Sequence, residues 1–112
     1  MKETKTSNKA WTKGPCTGLV RLAEFDGLTP VQLEEQLGAP RKKESFVRSE
    51  RQDEFHVLLE NTYPMKKAEN HGVPLQEWTW TEKDCQLTVW LHKEKGRWKS
   101  FVNSRYSATA DF

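Results

Sequence analysis

The side chains of this chain that could do chemistry are three histidines, two cysteines and scattered carboxylates. His56, His71 and His92 stand apart, and neither Cys16 nor Cys85 has a CxxC neighbour, so no zinc pattern is present. Cys85 follows Asp84 and precedes His92 by most of a strand. A nucleophilic cysteine needs its base within hydrogen-bond reach, and a turn residue at that distance is poorly placed for it. Glu34-Glu35, Asp53-Glu54 and Glu77 read as solvated charge, with nothing to force a carboxylate pair into an apolar site where acid–base work needs it. Neither GxGxxG nor GxxxxGK[ST] occurs, and Gly14, Gly18 and Gly27 read as turns. The chemistry that remains is recognition. Glu77, Trp90, His92, Arg97, Lys99 and Phe101 form an aromatic and charged set, the composition of interface hot spots. No catalytic residue, metal or cofactor is expected.

Composition narrows the partners. Eighteen basic and sixteen acidic residues leave a net charge of +2 over 112 residues. That balance argues against a protein built mainly to grip a phosphate backbone, which needs a concentrated basic field. Local basic clusters do occur at Arg41-Lys42-Lys43, Lys66-Lys67 and Lys93–Lys99. The last lies beside Trp90 and Phe101, so single-stranded nucleic acid, stacked on those rings, is a rival to a protein partner. No apolar run is long enough to span a bilayer. Met1–Pro15 has no apolar core segment and does not read as a secretory signal. With Met1 as the natural start, a cytoplasmic location is expected, and with it two free thiols.

The elements that must position these residues follow from local signals. Residues 1–15 read as a flexible arm closed by Gly14-Pro15, with Trp11 either docked on the domain or a bare contact residue. Residues 16–104 form a single domain and 105–112 a polar tail. Gly18–Phe25 spaces Leu19, Leu22 and Phe25 as a short helix would, with a strand as the alternative. The clearest helix lies between Leu28 and Pro40. Thr29 and Gln32 make a capping box, Pro30 suits the first helical position, and Gly38 with Pro40 ends it. Its apolar stripe is Val31, Leu33 and Leu37. A short strand is expected around Phe46-Val47. Glu54–Asn61 alternates Phe55, Val57 and Leu59 against His56, Leu58 and Glu60. That favours a strand over a competing helix capped by Ser49. Thr62–Pro74 is a long connection, and such loops are often functional.

Leu75–Val102 predicts three antiparallel strands with four-residue connections at 82–85 and 93–96. Trp80 then faces Leu87, Trp78 faces Val89 and Gln76 faces Leu91. In the second hairpin Leu91 faces Trp98, Val89 faces Ser100 and Leu87 faces Val102. Side chains alternate along strands, so Trp78, Trp80, Leu87, Val89, Leu91, Trp98 and Val102 share the core face under the helix. The opposite face carries Glu77, Thr79, Thr88, Trp90, His92, Arg97, Lys99 and Phe101. It is either a contact patch or a surface covered by the 62–74 loop or by residues 1–25.

The expected class is α+β, with one or two N-terminal helices packed on one face of an antiparallel sheet of three to five strands. The stretch Gly27-Leu28-Thr29-Pro30-Val31-Gln32-Leu33-Glu34-Glu35-Gln36-Leu37-Gly38-Ala39-Pro40 resembles the G-x-T-x-x-x-[VL]-x-x-x-LG-x-P helix of small SmpA/OmlA-type proteins. That fold also occurs in the β-lactamase-inhibitor-protein class. Trp78-Thr79-Trp80, Val89-Trp90-Leu91 and Lys95-Gly96-Arg97-Trp98 are the counterparts of its sheet motifs, so the resemblance covers roughly residues 25–102. It implies helices on one face of an antiparallel sheet and protein binding without catalysis. Typical lipoprotein members carry a signal peptide and an acylated cysteine. Cys16 has no apolar segment before it, so neither acylation nor a role in outer-membrane assembly is implied. The leading expectation is a non-catalytic domain that binds another protein through the outer sheet face or the 62–74 loop. A small-molecule pocket between helix and sheet is the further alternative.

Overall fold

A computed structural model describes residues 9–12, 16 and 19–109 of the chain. Most of the expected 1–15 arm and the last residues of the expected tail lie outside the described residues. The fold is α+β, with a four-stranded antiparallel sheet in sequential order. Its strands are β1 (Lys42–Val47), β2 (Pro74–Glu82), β3 (Cys85–Glu94) and β4 (Arg97–Ser107). Arg105–Ser107 therefore belong to a strand, not to a tail.

Helix α1 (Pro30–Leu37) starts and stops on the expected residues. Thr29 Oγ1 accepts from the Gln32 N–H at 3.2 Å, and Gln32 Oε1 accepts from the Thr29 N–H at 3.0 Å. Gly38 leaves the helix at φ 82°, a conformation that costs glycine little. Only Leu33 and Leu37 are buried; Val31 is 66% exposed. The reason is angular. Leu33 and Leu37 are nearly aligned, whereas Val31 lies about 200° round the helix from Leu33.

The β2–β3 register is as expected, with Trp80 opposite Leu87, Trp78 opposite Val89 and Gln76 opposite Leu91. The second hairpin differs. Its loop is the pair Lys95-Gly96, both at positive φ (52° and 81°), so Glu94 pairs with Arg97 and Leu91 with Ser100. This is a two-residue shift from the expected pairing of Leu91 with Trp98. It keeps Trp98 on the α1 side. A bulge between Trp90 and Leu91 then changes the parity of β4, so Val102 pairs with Trp90 and moves to the outer face. Asn103, opposite Val89, takes its place on the α1 side.

That exchange puts two polar residues where they hold the N-terminal segment. Asn103 Oδ1 accepts from the Leu22 N–H at 2.8 Å, and its amide donates to Leu22 O at 2.7 Å. Ser100 Oγ donates to Phe25 O at 2.6 Å and accepts from the Leu28 N–H at 2.9 Å. Val20 bridges Arg105, and the short 3-10 turn Ala23–Phe25 follows. The segment expected as a short helix is thus mostly an edge cover for β4.

The main core lies between α1 and the sheet: Phe25, Leu33, Leu37, Trp78, Trp80, Leu87, Val89 and Leu91, joined by a docked Trp11. Cys85 opens β3 with its side chain on the same face as Leu87 and Val89 and meets Cys16 in a disulfide, Cα–Cα 5.6 Å. The expectation of two free thiols is therefore corrected. Spacing in the sequence could not reveal that the inward end of β3 meets the segment preceding Val20. Closing a loop of 69 residues stabilises the fold by roughly 4 kcal/mol in the chain-entropy account.

Glu54–Asn61 is a 3-10 helix with a kink at His56, not a strand. Asp53 caps it, in place of Ser49, by accepting from the His56 N–H at 3.2 Å. A 3-10 helix repeats every three residues. Phe55 with Leu58 and His56 with Leu59 accordingly turn inward, while Glu54, Val57 and Glu60 turn out. This helix lies on the outer face of the sheet and closes a second core of Phe46, Leu59, Leu75, Trp90 and Val102.

Candidate functional site

The six residues expected to form a contact patch fall into separate environments. Glu77, Trp90 and His92 are buried, and Trp90 is fully so. Phe101 and Lys99 are half-buried, and Arg97 is exposed at the start of β4. The outer face is therefore not an open aromatic surface around Trp90. Its cover is mainly the segment from Arg48 to Asn61, joined by the two ends of the 62–74 loop, Tyr63 and Val73. Phe55 and Leu58 from that segment pack on the Trp90 cluster.

Arg48 fastens this lid. Its side chain is 1% exposed, and its guanidinium donates to Tyr63 O at 3.0 Å, Arg51 O at 2.6 Å and Glu60 Oε2 at 2.7 Å. A planar fork of donors suits three acceptors spread around one buried point. Beneath the lid, His56 bridges two carboxylates. Its Nδ1 lies 2.5 Å from Asp53 Oδ1 and its Nε2 lies 2.6 Å from Glu77 Oε1. Glu77 Oε1 also accepts from Trp90 Nε1 at 2.9 Å and faces Arg51 Nη1 at 3.2 Å.

Burial alone pulls the imidazole down, but hydrogen bonds and charges from Glu77 and Asp53 outweigh it, and His56 titrates above its ordinary value. Burial likewise raises Glu77 and Asp53. The bonds and charge of His56, and for Glu77 also the Trp90 bond and Arg51, hold both below the usual carboxylate range. With both ring nitrogens donating to carboxylates, His56 offers no lone pair to a substrate or a metal. The arrangement is a charged clasp between lid and sheet.

His92 makes a second, neutral contact. Tyr63 Oη donates to its Nδ1 at 2.6 Å, and Phe101 stacks on its ring at a centroid distance of 4.3 Å. Burial holds His92 below its ordinary value against the opposing pull of Glu94, whose Oε2 lies 3.3 Å from Nε2. The structure thus joins Glu77 to Trp90 and His92 to Phe101. It leaves Arg97 and Lys99 out of both groupings.

Asp53, His56, Arg48 and Arg51 were not legible as a site. One signal was present: the expected register already places Glu77 directly opposite Trp90. A buried indole N–H needs an acceptor, and Glu77 was the nearest one. Reading Glu77 as solvated charge is therefore corrected.

Two of the accessible regions bear on recognition. Beyond Thr79, β2 has no β1 partner, and a groove of ≈ 260 Å³ opens there, lined by Arg41, Lys42, Thr79, Thr81 and Gln86. The second is the 62–74 connection, which is tied together by its own hydrogen bonds. Asn70 Nδ2 donates to Pro64 O at 2.9 Å, His71 Nε2 donates to Met65 O at 2.6 Å, and the Lys67 N–H reaches Pro64 O at 3.2 Å. A 3-10 turn, Ala68–Asn70, sits within it, and Lys66, Lys67, Ala68 and Glu69 are exposed.

Among the described residues no group of three or more His, Cys, Asp or Glu is arranged to hold a metal ion, and no helix is long and apolar enough to cross a membrane. No protein-family model matches the chain, and no curated protein or solved structure matches it either.

Proposed function

We propose that this chain is a non-catalytic domain that binds another protein, and that the 62–74 loop is its contact surface. The observation that carries this reading is the loop's internal bonding. Its backbone is tied at Pro64, Met65 and Asn70 while Lys66, Lys67 and Glu69 point to solvent. A loop already held in one shape loses little conformational freedom on binding, which favours affinity. Paired lysines give it a cationic tip that suits a partner surface of opposite charge. The rival nucleic-acid reading is weakened because its stacking platform, Trp90, is buried. The Cys16–Cys85 disulfide favours an oxidising compartment over the cytoplasmic location expected from the N-terminal residues.

The test is cross-linking and affinity capture from lysate, nuclease-treated and untreated, with wild type beside a Lys66→Glu/Lys67→Glu variant. Both positions are exposed, so the variant should match wild type in thermal stability. A protein captured by wild type and lost with the variant supports the reading. A protein held equally by both excludes the loop, and a capture abolished by nuclease favours nucleic acid.

A further inference from the structure

The groove beyond the end of β1 is bordered by a chain of hydrogen bonds whose direction is set at the Gln86 amide. Tyr106 Oη donates its single proton to Gln86 Oε1 at 3.1 Å. Its oxygen must then accept from Thr88 Oγ1 at 2.9 Å, which uses the Thr88 proton. Thr88 Oγ1 in turn accepts from Thr79 Oγ1 at 3.0 Å. The relay runs Thr79 to Thr88 to Tyr106 to Gln86.

This direction fixes what the groove shows to a ligand. The Gln86 carbonyl oxygen is occupied from within, which leaves its NH₂ group as the free end of a side chain that lines the groove. Thr79, having spent its proton on Thr88, keeps only lone pairs on the groove side. Thr81 is half-buried, and its hydroxyl has no side-chain partner among the described residues. Arg41 and Lys42 complete the lining, and neither pairs with a carboxylate among the described residues. This contrasts with Lys43, which is bound to Glu34 at 2.9 Å, and Arg51, which is bound to Glu44 at 3.1 Å.

The lining therefore holds two unpaired cations, one oriented amide donor and one free hydroxyl, with no acidic residue. From this we infer that the groove binds an oxyanion, a carboxylate or phosphate group carried by a small polar ligand. The guanidinium fork supplies paired donors, the ammonium adds point charge, and the amide fixes orientation. Thr79 is the acceptor for a hydroxyl next to the anionic group. A volume of ≈ 260 Å³ suits such a headgroup better than a large apolar ligand. The inference is independent of the loop reading and stands or falls without it.

The experiment is an amide-NMR titration of the full chain with inorganic phosphate and, separately, with citrate, at ionic strength held constant with sodium chloride. Saturable shifts at Arg41, Lys42, Thr79, Thr81 and Gln86 are expected with at least one of the two. Arg41→Gln should weaken binding roughly tenfold, the order of one charge-assisted hydrogen bond. Gln86→Glu should abolish it by replacing a donor with a negative charge. Preference for phosphate over citrate identifies a phosphorylated ligand, and the reverse order a carboxylate. Shifts that fail to saturate with either anion, or that persist unchanged in Gln86→Glu, overturn the inference.

Discussion

The outer face of the sheet has a sealed half and an open half, built from the same strands by the same alternation of side chains. In the sealed half, Glu77, Trp90 and His92 lie beneath the lid. In the open half, Thr79, Thr81 and Gln86 border a groove. The polar chemistry differs accordingly. Under the lid, charge is kept only as a compensated set: His56 and Glu77 pair there, and each is met from the lid by an opposite charge, Asp53 on His56 and Arg51 on Glu77. Outside it, neutral hydroxyls form a directional relay, and the cations Arg41 and Lys42 have no carboxylate partner among the described residues. Burial demands that a charge be matched, whereas exposure allows it to remain available.

The strongest way to break this contrast is Glu77→Ala. It leaves the His56 imidazolium facing one carboxylate, and it strips the acceptor from Trp90 Nε1. A loss of roughly 3–5 kcal/mol is expected, the scale for removing one partner of a buried charge pair. Urea unfolding followed by tryptophan fluorescence measures it, and a loss below about 1 kcal/mol would show that the clasp does not hold the lid.

The pH dependence of stability comes next. His56 titrates above its ordinary value, so its contribution is complete below the unfolded-state pKa near ~6.5 and fades as pH rises through the higher folded value. Glu77 and Asp53 titrate below theirs. Their contribution is complete above the unfolded carboxylate values near ~4 and fades as pH falls through the lower folded ones. Stability should therefore be greatest between these limits, and His56→Gln should flatten the alkaline decline. Unfolding midpoints across the pH range read this directly; an alkaline decline that survives in His56→Gln would assign it elsewhere.

Tyr106→Phe should have the smallest effect, about 1 kcal/mol or less, because it removes hydrogen bonds among neutral groups near an open groove. Its sharper readout is the Gln86 side-chain amide, whose NMR signals should broaden or shift once the relay no longer fixes its orientation. Unchanged Gln86 signals would mean that the relay does not set the groove.

Sequence by itself determined α1 and the β2–β3 hairpin. Thr29, Pro30, Gln32 and Gly38 act on backbone groups within a turn of themselves, and the alternation of Trp78, Trp80, Leu87, Val89 and Leu91 admits one pairing of faces. Both are local signals, which survive whatever the rest of the chain does. Tertiary structure decided the lid, the bulge, the disulfide and the clasp. Over Phe55–Leu59, periods of two and three fit nearly the same apolar residues, and only packing on Trp90 selects the 3-10 helix. The bulge after Trp90 places both Phe101 and Val102 against the outer cluster, although no residue there signals it. His56 meets Glu77 across twenty-one positions and Cys16 meets Cys85 across sixty-nine. Such contacts depend on how distant segments stack, and hydrophobic periodicity carries no information about that distance.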